Sequence, residues 1–142
     1  MRRPHYLSYH NPDTMREDFS HIALSGCIGT DKERVAERAA EDDAIVWCVG
    51  KRGEGRAARY FLYQRIVDTR CRYTKPAEVA QGEFRILLCG KPTLPAGYTK
   101  DITDEPYMPE VKSILGFGLQ PMGNKHKATV AAFVAEFERM TT

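Results

Sequence analysis

The groups able to do chemistry in this 142-residue chain gather in three places. In His10-Asn11-Pro12-Asp13 an imidazole and a carboxylate stand close enough for one to act as a base and the other to orient it. In Gly50-Lys51-Arg52-Gly53-Glu54-Gly55-Arg56, glycines alternate with cations, so backbone N–H groups and side chains could together face a phosphate. Trp47, the sole tryptophan, precedes that turn, and Tyr60, Phe61 and Tyr63 follow it. Aromatic rings beside cations hold single-stranded or flipped-out nucleotides, the ring stacking the base and the cation meeting the phosphate.

Each group also has a structural reading. His10, Asn11 and Asp13 suit a strand end followed by a turn. The glycines suit a hairpin turn that needs positive φ, and they lack the Gly-Lys-Ser/Thr ending of a P-loop and the spacing of a dinucleotide fingerprint. Trp47 and Phe61, lying in apolar runs, suit a core. The turn resembles the Arg/Gln-x-x-Gly-x-Gly loop of acetyltransferases, with Gly50 where the Arg or Gln should stand. His5, His10, His21 and His126 have no metal-site spacing, so no metal is expected, and nothing calls for a cofactor. No G-x-S-x-G occurs, and Cys48 and Cys89 read as inert packing thiols.

These residues need elements to position them. His5–His10 reads as a short strand stopped by Asn11-Pro12-Asp13. Residues 14–29 show no period, with Gly26 and Gly29 marking loop. Thr30-Asp31-Lys32-Glu33 is a capping box opening a helix with an apolar stripe of Val35, Ala36, Ala39 and Ala40. Ala44–Val49 is a continuous apolar run, expected to be a buried central strand. Arg59–Val67 reads as the strand returning from the glycine turn, although Ala58, Phe61, Leu62 and Ile66 also follow helical spacing. Another strand is expected at Phe84–Cys89, and residues 91–110, with four prolines, read as a long loop. Gly116–Met122 is a short strand or turn, and a helix capped by Asn124 runs to about Met140 with Val130, Phe133, Val134 and Phe137 on one face. The order lacks regular βαβ alternation and predicts a single α+β domain over residues 1–142, built on a mixed or antiparallel, barrel-like sheet with a C-terminal amphipathic helix.

Composition bounds the rest. The hydrophobic fraction of 42% and charged fraction of 28% argue against wholesale disorder, and no apolar run approaches a membrane span. No signal core follows the basic N-terminus, and the four cysteines lack a C-x-x-C pair, which predicts reduced thiols and a cytoplasmic protein with no membrane partner. The net charge of +2 hides a dipolar chain. Residues 51–75 hold eight basic side chains against two acids, whereas residues 31–43 hold six acids against three bases. That pattern can present a basic face to an anion.

His5-Tyr6-Leu7-Ser8-Tyr9-His10-Asn11-Pro12-Asp13 resembles the opening strand and Pro-Asp turn of EVE domains, small PUA-like β-barrels related to the YTH and ASCH domains. Ile45–Leu62 resembles their central hairpin. Pro109–Leu115, Gly118-Leu119-Gln120-Pro121-Met122 and the following helix resemble their closing strand and terminal helix. Tyr9-His10 stands in place of the family's Lys-Ser pair, and Gly118-Leu119-Gln120 in place of its Arg-Leu-Ser. The resemblance implies a PUA-like barrel with a helix after the first strand. It also implies a non-catalytic module that reads a modified or flipped-out base in RNA or DNA. Tyr9, His10 and Asn11 would line one side of its pocket and Gly118, Leu119 and Gln120 the other, with Trp47 or Tyr63 as an aromatic wall. Lys51, Arg52, Arg56 and Arg59 would meet phosphates. The alternative is a small enzyme, acetyltransferase-like through Gly53-Glu54-Gly55 or a hydrolase using His10 and Asp13; a helix over residues 57–67 would favour the acetyltransferase and a strand the nucleic-acid module.

Overall fold

The computed structural model describes residues 3–10, Phe19 and residues 25–141. Its elements follow in the order β1 (His5–His10), β2 (Cys27–Thr30), α1 (Glu33–Glu41), β3 (Ile45–Arg52), β4 (Arg59–Tyr73), α2 (Pro76–Ala80), β5 (Ile86–Pro92), β6 (Lys100–Asp101), α3 (Met108–Lys112), β7 (Gln120–Met122) and α4 (Lys127–Thr141). Seven strands form one mixed sheet in the order β2-β5-β4-β3-β1-β7, with β6 paired to β4. β1 and β3 are parallel, and the other pairs are antiparallel. This is the expected mixed α+β architecture, but the sheet is open. Among the described residues β2 and β7 end the ladder without meeting, so the barrel expected from sequence is not formed.

The sheet is buried on both faces at its centre because Ile45–Val49 of β3 is apolar at every position. Val46 and Cys48 pack under α1 with Tyr6, Tyr63, Ile66, Ile86 and Leu88. Leu7, Trp47, Val49 and Leu62 pack on the other face under α3 and α4, against Met108, Val111 and Phe133. The Val130, Phe133, Val134 and Phe137 stripe of α4 lies in this second cluster, as its spacing predicts.

β4 settles the open question at residues 57–67. It is a strand, and it runs on to Tyr73, well past the expected end. Two irregularities bend it. One falls opposite Cys48/Val49; the other lies between Val67 and Arg70, where Asp68 takes a φ of 55°. Gly90 faces the second, and a Cβ there would collide with the Val67 carbonyl. At the first, the Gln64 amide stands in for a missing strand: its Nε2 donates to the Leu94 carbonyl at 3.2 Å and its Oε1 accepts the Leu94 N–H at 2.7 Å. Those two bonds bridge the stretch of β4 between its partners β6 and β5.

Three further expectations change. The stretch around Gly26 and Gly29, expected as loop, carries β2 (Cys27–Thr30), which precedes α1. Thr30 Oγ1 accepts from Lys32 N at 3.1 Å rather than from the third helical residue, so the capping box is not formed. Cys27 and Cys89 are not separate thiols. The β2–β5 register sets them opposite each other with Cα atoms 4.0 Å apart, and they form a disulfide. A pair 62 residues apart leaves no trace in sequence spacing. Cys48 is free and buried, and Cys71 free and half-buried. None of the described helices is long and apolar enough to cross a membrane.

Candidate nucleic-acid interface

β1 and β3 run side by side until β1 ends at His10, opposite Gly50, and β3 continues to Arg52 and into the hairpin with β4. Strand alternation sorts the candidate residues at this end of the sheet. Ser8, His10, Cys48, Gly50 and Arg52 take the α1 face, and Tyr9, Val49 and Lys51 take the α3/α4 face. Cation and aromatic groups meet on both.

On the α1 face Gly50 lets a ring lie against the strand: a Cβ there would run into the Phe19 side chain. Phe19 stacks on Tyr63 with centroids 4.6 Å apart and tilts against Phe61 at 5.9 Å. The Arg52 guanidinium covers this cluster, 4.3 Å from the Phe19 centroid and 5.3 Å from that of Phe61. Ser8, His10 and Cys48 of the same face are buried. Burial pushes the Cys48 thiol up to about 12, and burial also raises the Tyr63 hydroxyl, which hydrogen-bonds with that thiol. Both stay protonated at neutral pH, so Cys48 offers no thiolate nucleophile.

On the other face Tyr9 and Tyr60 are half-buried, their rings 6.5 Å apart and tilted by 41°. Lys112 of α3 places its ammonium 5.5 Å from the Tyr60 centroid, and Lys51 is paired in register with Tyr60. Unlike Phe19 and Tyr63, which are buried, these two rings keep part of their surface in water, with lysines at their rim. A half-exposed aromatic pair bordered by cations can accept a flat, electron-rich base on its face and the attached phosphate at its edge.

The turn joins the two faces. Gly53 and Gly55 adopt φ of 81° and 57°, the conformations for which glycine is suited, and Gly55–Ala57 makes a single 3-10 turn before β4 begins. A strand, not a helix, follows. The loop therefore lacks the helix N-terminus on which an acetyltransferase-like phosphate cradle would depend. Arg52 and Arg56 are exposed. Arg59 is held otherwise: its Nε donates to Asp101 at 2.8 Å and its Nη2 to Asp104 at 3.1 Å, tying β4 to the segment that includes β6. Of the four expected phosphate-binding cations, Arg59 thus has two carboxylates already.

The residues expected to line one pocket divide between the two faces. His10, Tyr63 and Leu119 lie with the α1-side cluster, whereas Tyr9 and Trp47 lie on the opposite side, and Gln120 pairs with Leu7 of that side. Trp47 is fully buried, its ring 5.5 Å from Phe133 and its indole N–H donated to His5 Nδ1 at 2.9 Å. It is a core residue near the other end of the sheet and offers no wall to a ligand beside Tyr63. Asn11 and Asp13 lie outside the described residues, and the hydrolase reading with them. Among the described residues no cluster of three His, Cys, Asp or Glu side chains forms a metal site.

Two contributors are not marked in the sequence, and the face of a third, Phe61, follows only once the β-bulge is known. Phe19 and Lys112 come from segments remote in sequence, and no local pattern marks either. No family model, no curated protein and no solved structure matches this chain.

Proposed function

We propose that the chain is a non-catalytic nucleic-acid-binding module that grips a single-stranded or flipped-out nucleotide at the β3–β4 hairpin. The observation that carries the reading is the half-buried Tyr9–Tyr60 pair with Lys112 over Tyr60, bordered by Lys51 and continuous with exposed Arg52 and Arg56. The tyrosines stack the base, and the hairpin cations meet phosphates. Base stacking contributes about 1–3 kcal/mol per base and tolerates any sequence, so this surface favours an unpaired strand over a duplex. The motif order of the EVE-domain resemblance supports the same class of ligand.

The test is fluorescence anisotropy with labelled single-stranded RNA and DNA of mixed sequence, carried out over a range of salt. If Lys51, Arg52 and Arg56 each meet a phosphate, log K should fall with log salt at a slope of about −2, from −0.7 per contact. A Tyr60→Ala variant that retains its circular dichroism spectrum should lose about 1–3 kcal/mol of binding. Equal affinity for that variant and the wild type would remove the tyrosine platform from the account.

A further inference from the structure

At the other end of β1 a second group of donors gathers around Arg65, not all of them with an acceptor. Arg65 of β4 lies beside Trp47 in register, its guanidinium 3.9 Å from the Phe137 centroid and 5.5 Å from that of Trp47. Its Nη1 donates to Thr93 Oγ1 at 3.2 Å. Its Nε is buried without an acceptor, and among the described residues Nη2 has none either. No carboxylate of the described residues pairs with this half-buried cation, and the charge acting on it is that of Arg3, of the same sign. His5 adds a further donor. The indole N–H of Trp47 can only donate, so His5 Nδ1 is unprotonated and the neutral ring carries its hydrogen on Nε2. Arg3 is held by Asp43 at 3.0 Å, in a bridge whose side chains are 44% and 52% exposed and therefore contribute little to stability.

A partly desolvated guanidinium without a counter-ion is costly, and its neighbours here supply only more positive charge and N–H groups. We propose that Arg65, His5 and Arg3 form a binding site for a small oxyanion, a phosphate or carboxylate group, at the end of the sheet opposite the hairpin. The aromatic rings over the guanidinium leave its edge as the route for an incoming oxygen, the geometry in which arginine binds planar oxyanions. His5 Nε2–H donates from the side, and Arg3 exchanges Asp43 for the ligand.

The sole tryptophan is built into this site and reports on it. Titration of the full chain with sodium phosphate, and separately with sodium acetate, is followed at constant ionic strength set with chloride. Trp47 fluorescence and the NMR resonance of its indole N–H are the readouts. A saturable change is expected with phosphate, acetate or both, and the stronger response identifies the oxyanion class. Arg65→Gln should abolish it, and Asp43→Asn, which releases Arg3, should tighten it several-fold. If Arg65→Gln does not fold, Arg65→Lys, which keeps the charge and loses the fork, should weaken binding at least tenfold. Tyr60→Ala and Arg56→Ala, which probe the hairpin, should leave the titration unchanged, so the two sites succeed or fail separately. A non-saturating response in the wild type, or an undiminished one in the Arg65 variant that folds, would overturn the proposal.

Discussion

At the residue scale the decisive feature is which ring is reachable. Trp47 has the side chain best suited to stack a base, yet it is fully buried and spends its one N–H on His5. Trp47→Ala should therefore cost about 3–5 kcal/mol of folding stability in a denaturant melt, as large core truncations do, with little direct effect on oligonucleotide binding in whatever fraction folds. Tyr60 should show the reverse pattern. Residue type in the sequence placed aromatic and basic groups together correctly along the chain, but it could not say which face each ring takes. The bulge at residues 63–64 is the reason: an extra residue in β4 changes the alternation that a simple period of two would assign. Trp47 and Tyr63, expected as alternative walls of one pocket, consequently lie on opposite sides of the sheet.

At the scale of elements the hairpin is held by contacts that do not themselves meet a ligand. Gly50 admits Phe19, so Gly50→Ala should displace that ring and with it Arg52, weakening oligonucleotide binding while leaving Tyr9 and Tyr60 in place. The expected readout is a smaller salt slope, because a phosphate contact is lost rather than a stack. Farther along β4, Gln64→Leu would leave the Leu94 N–H and carbonyl without their partners. Each buried backbone group so orphaned costs about 1–3 kcal/mol, a loss to be read by thermal or denaturant unfolding. The strands β3 and β4 and the helices α1 and α4 were legible because each carries a regular apolar pattern, and β1 because Tyr6, Leu7 and Tyr9 favour a strand that Asn11-Pro12-Asp13 must stop. β2 was not. Cys27-Ile-Gly-Thr is four residues long and contains Gly29, whose bare Cα accommodates the Phe84 ring; only pairing with β5 makes it a strand. The long loop after β5 was expected, but the β6 pairing and α3 within it arise from contacts with β4 and α4 that sequence spacing does not encode.

At the scale of the whole molecule, long-range ties fix the open sheet. One is the Cys27–Cys89 disulfide, closing a loop over a separation of 62 residues. By the chain-entropy argument a loop of that size contributes up to about 4 kcal/mol, so unfolding with and without reductant should differ by no more than that. Another is the 6%-exposed Glu136 carboxylate of α4, which accepts from Tyr98 at 2.8 Å and Lys100 at 3.0 Å and also from Arg139. The Arg139 hydrogen bond leads in holding Glu136 near 2, below its ordinary 4.5. Because the folded pKa lies below the unfolded one, this stabilisation is complete above pH 4.5 and is lost as pH falls towards 2. A shift of that size corresponds to roughly 3 kcal/mol, so Glu136→Gln should be destabilised by up to this amount at pH 7, the gap closing in acid melts near pH 2. Binding at the hairpin is the central claim, and the salt dependence of single-strand affinity tests it most directly. The account predicts measurable binding to unpaired RNA or DNA with a log–log slope of about −2, reduced by about 0.7 in Arg56→Ala. Affinity that does not change with salt, or an Arg56→Ala slope equal to that of the wild type, would contradict it.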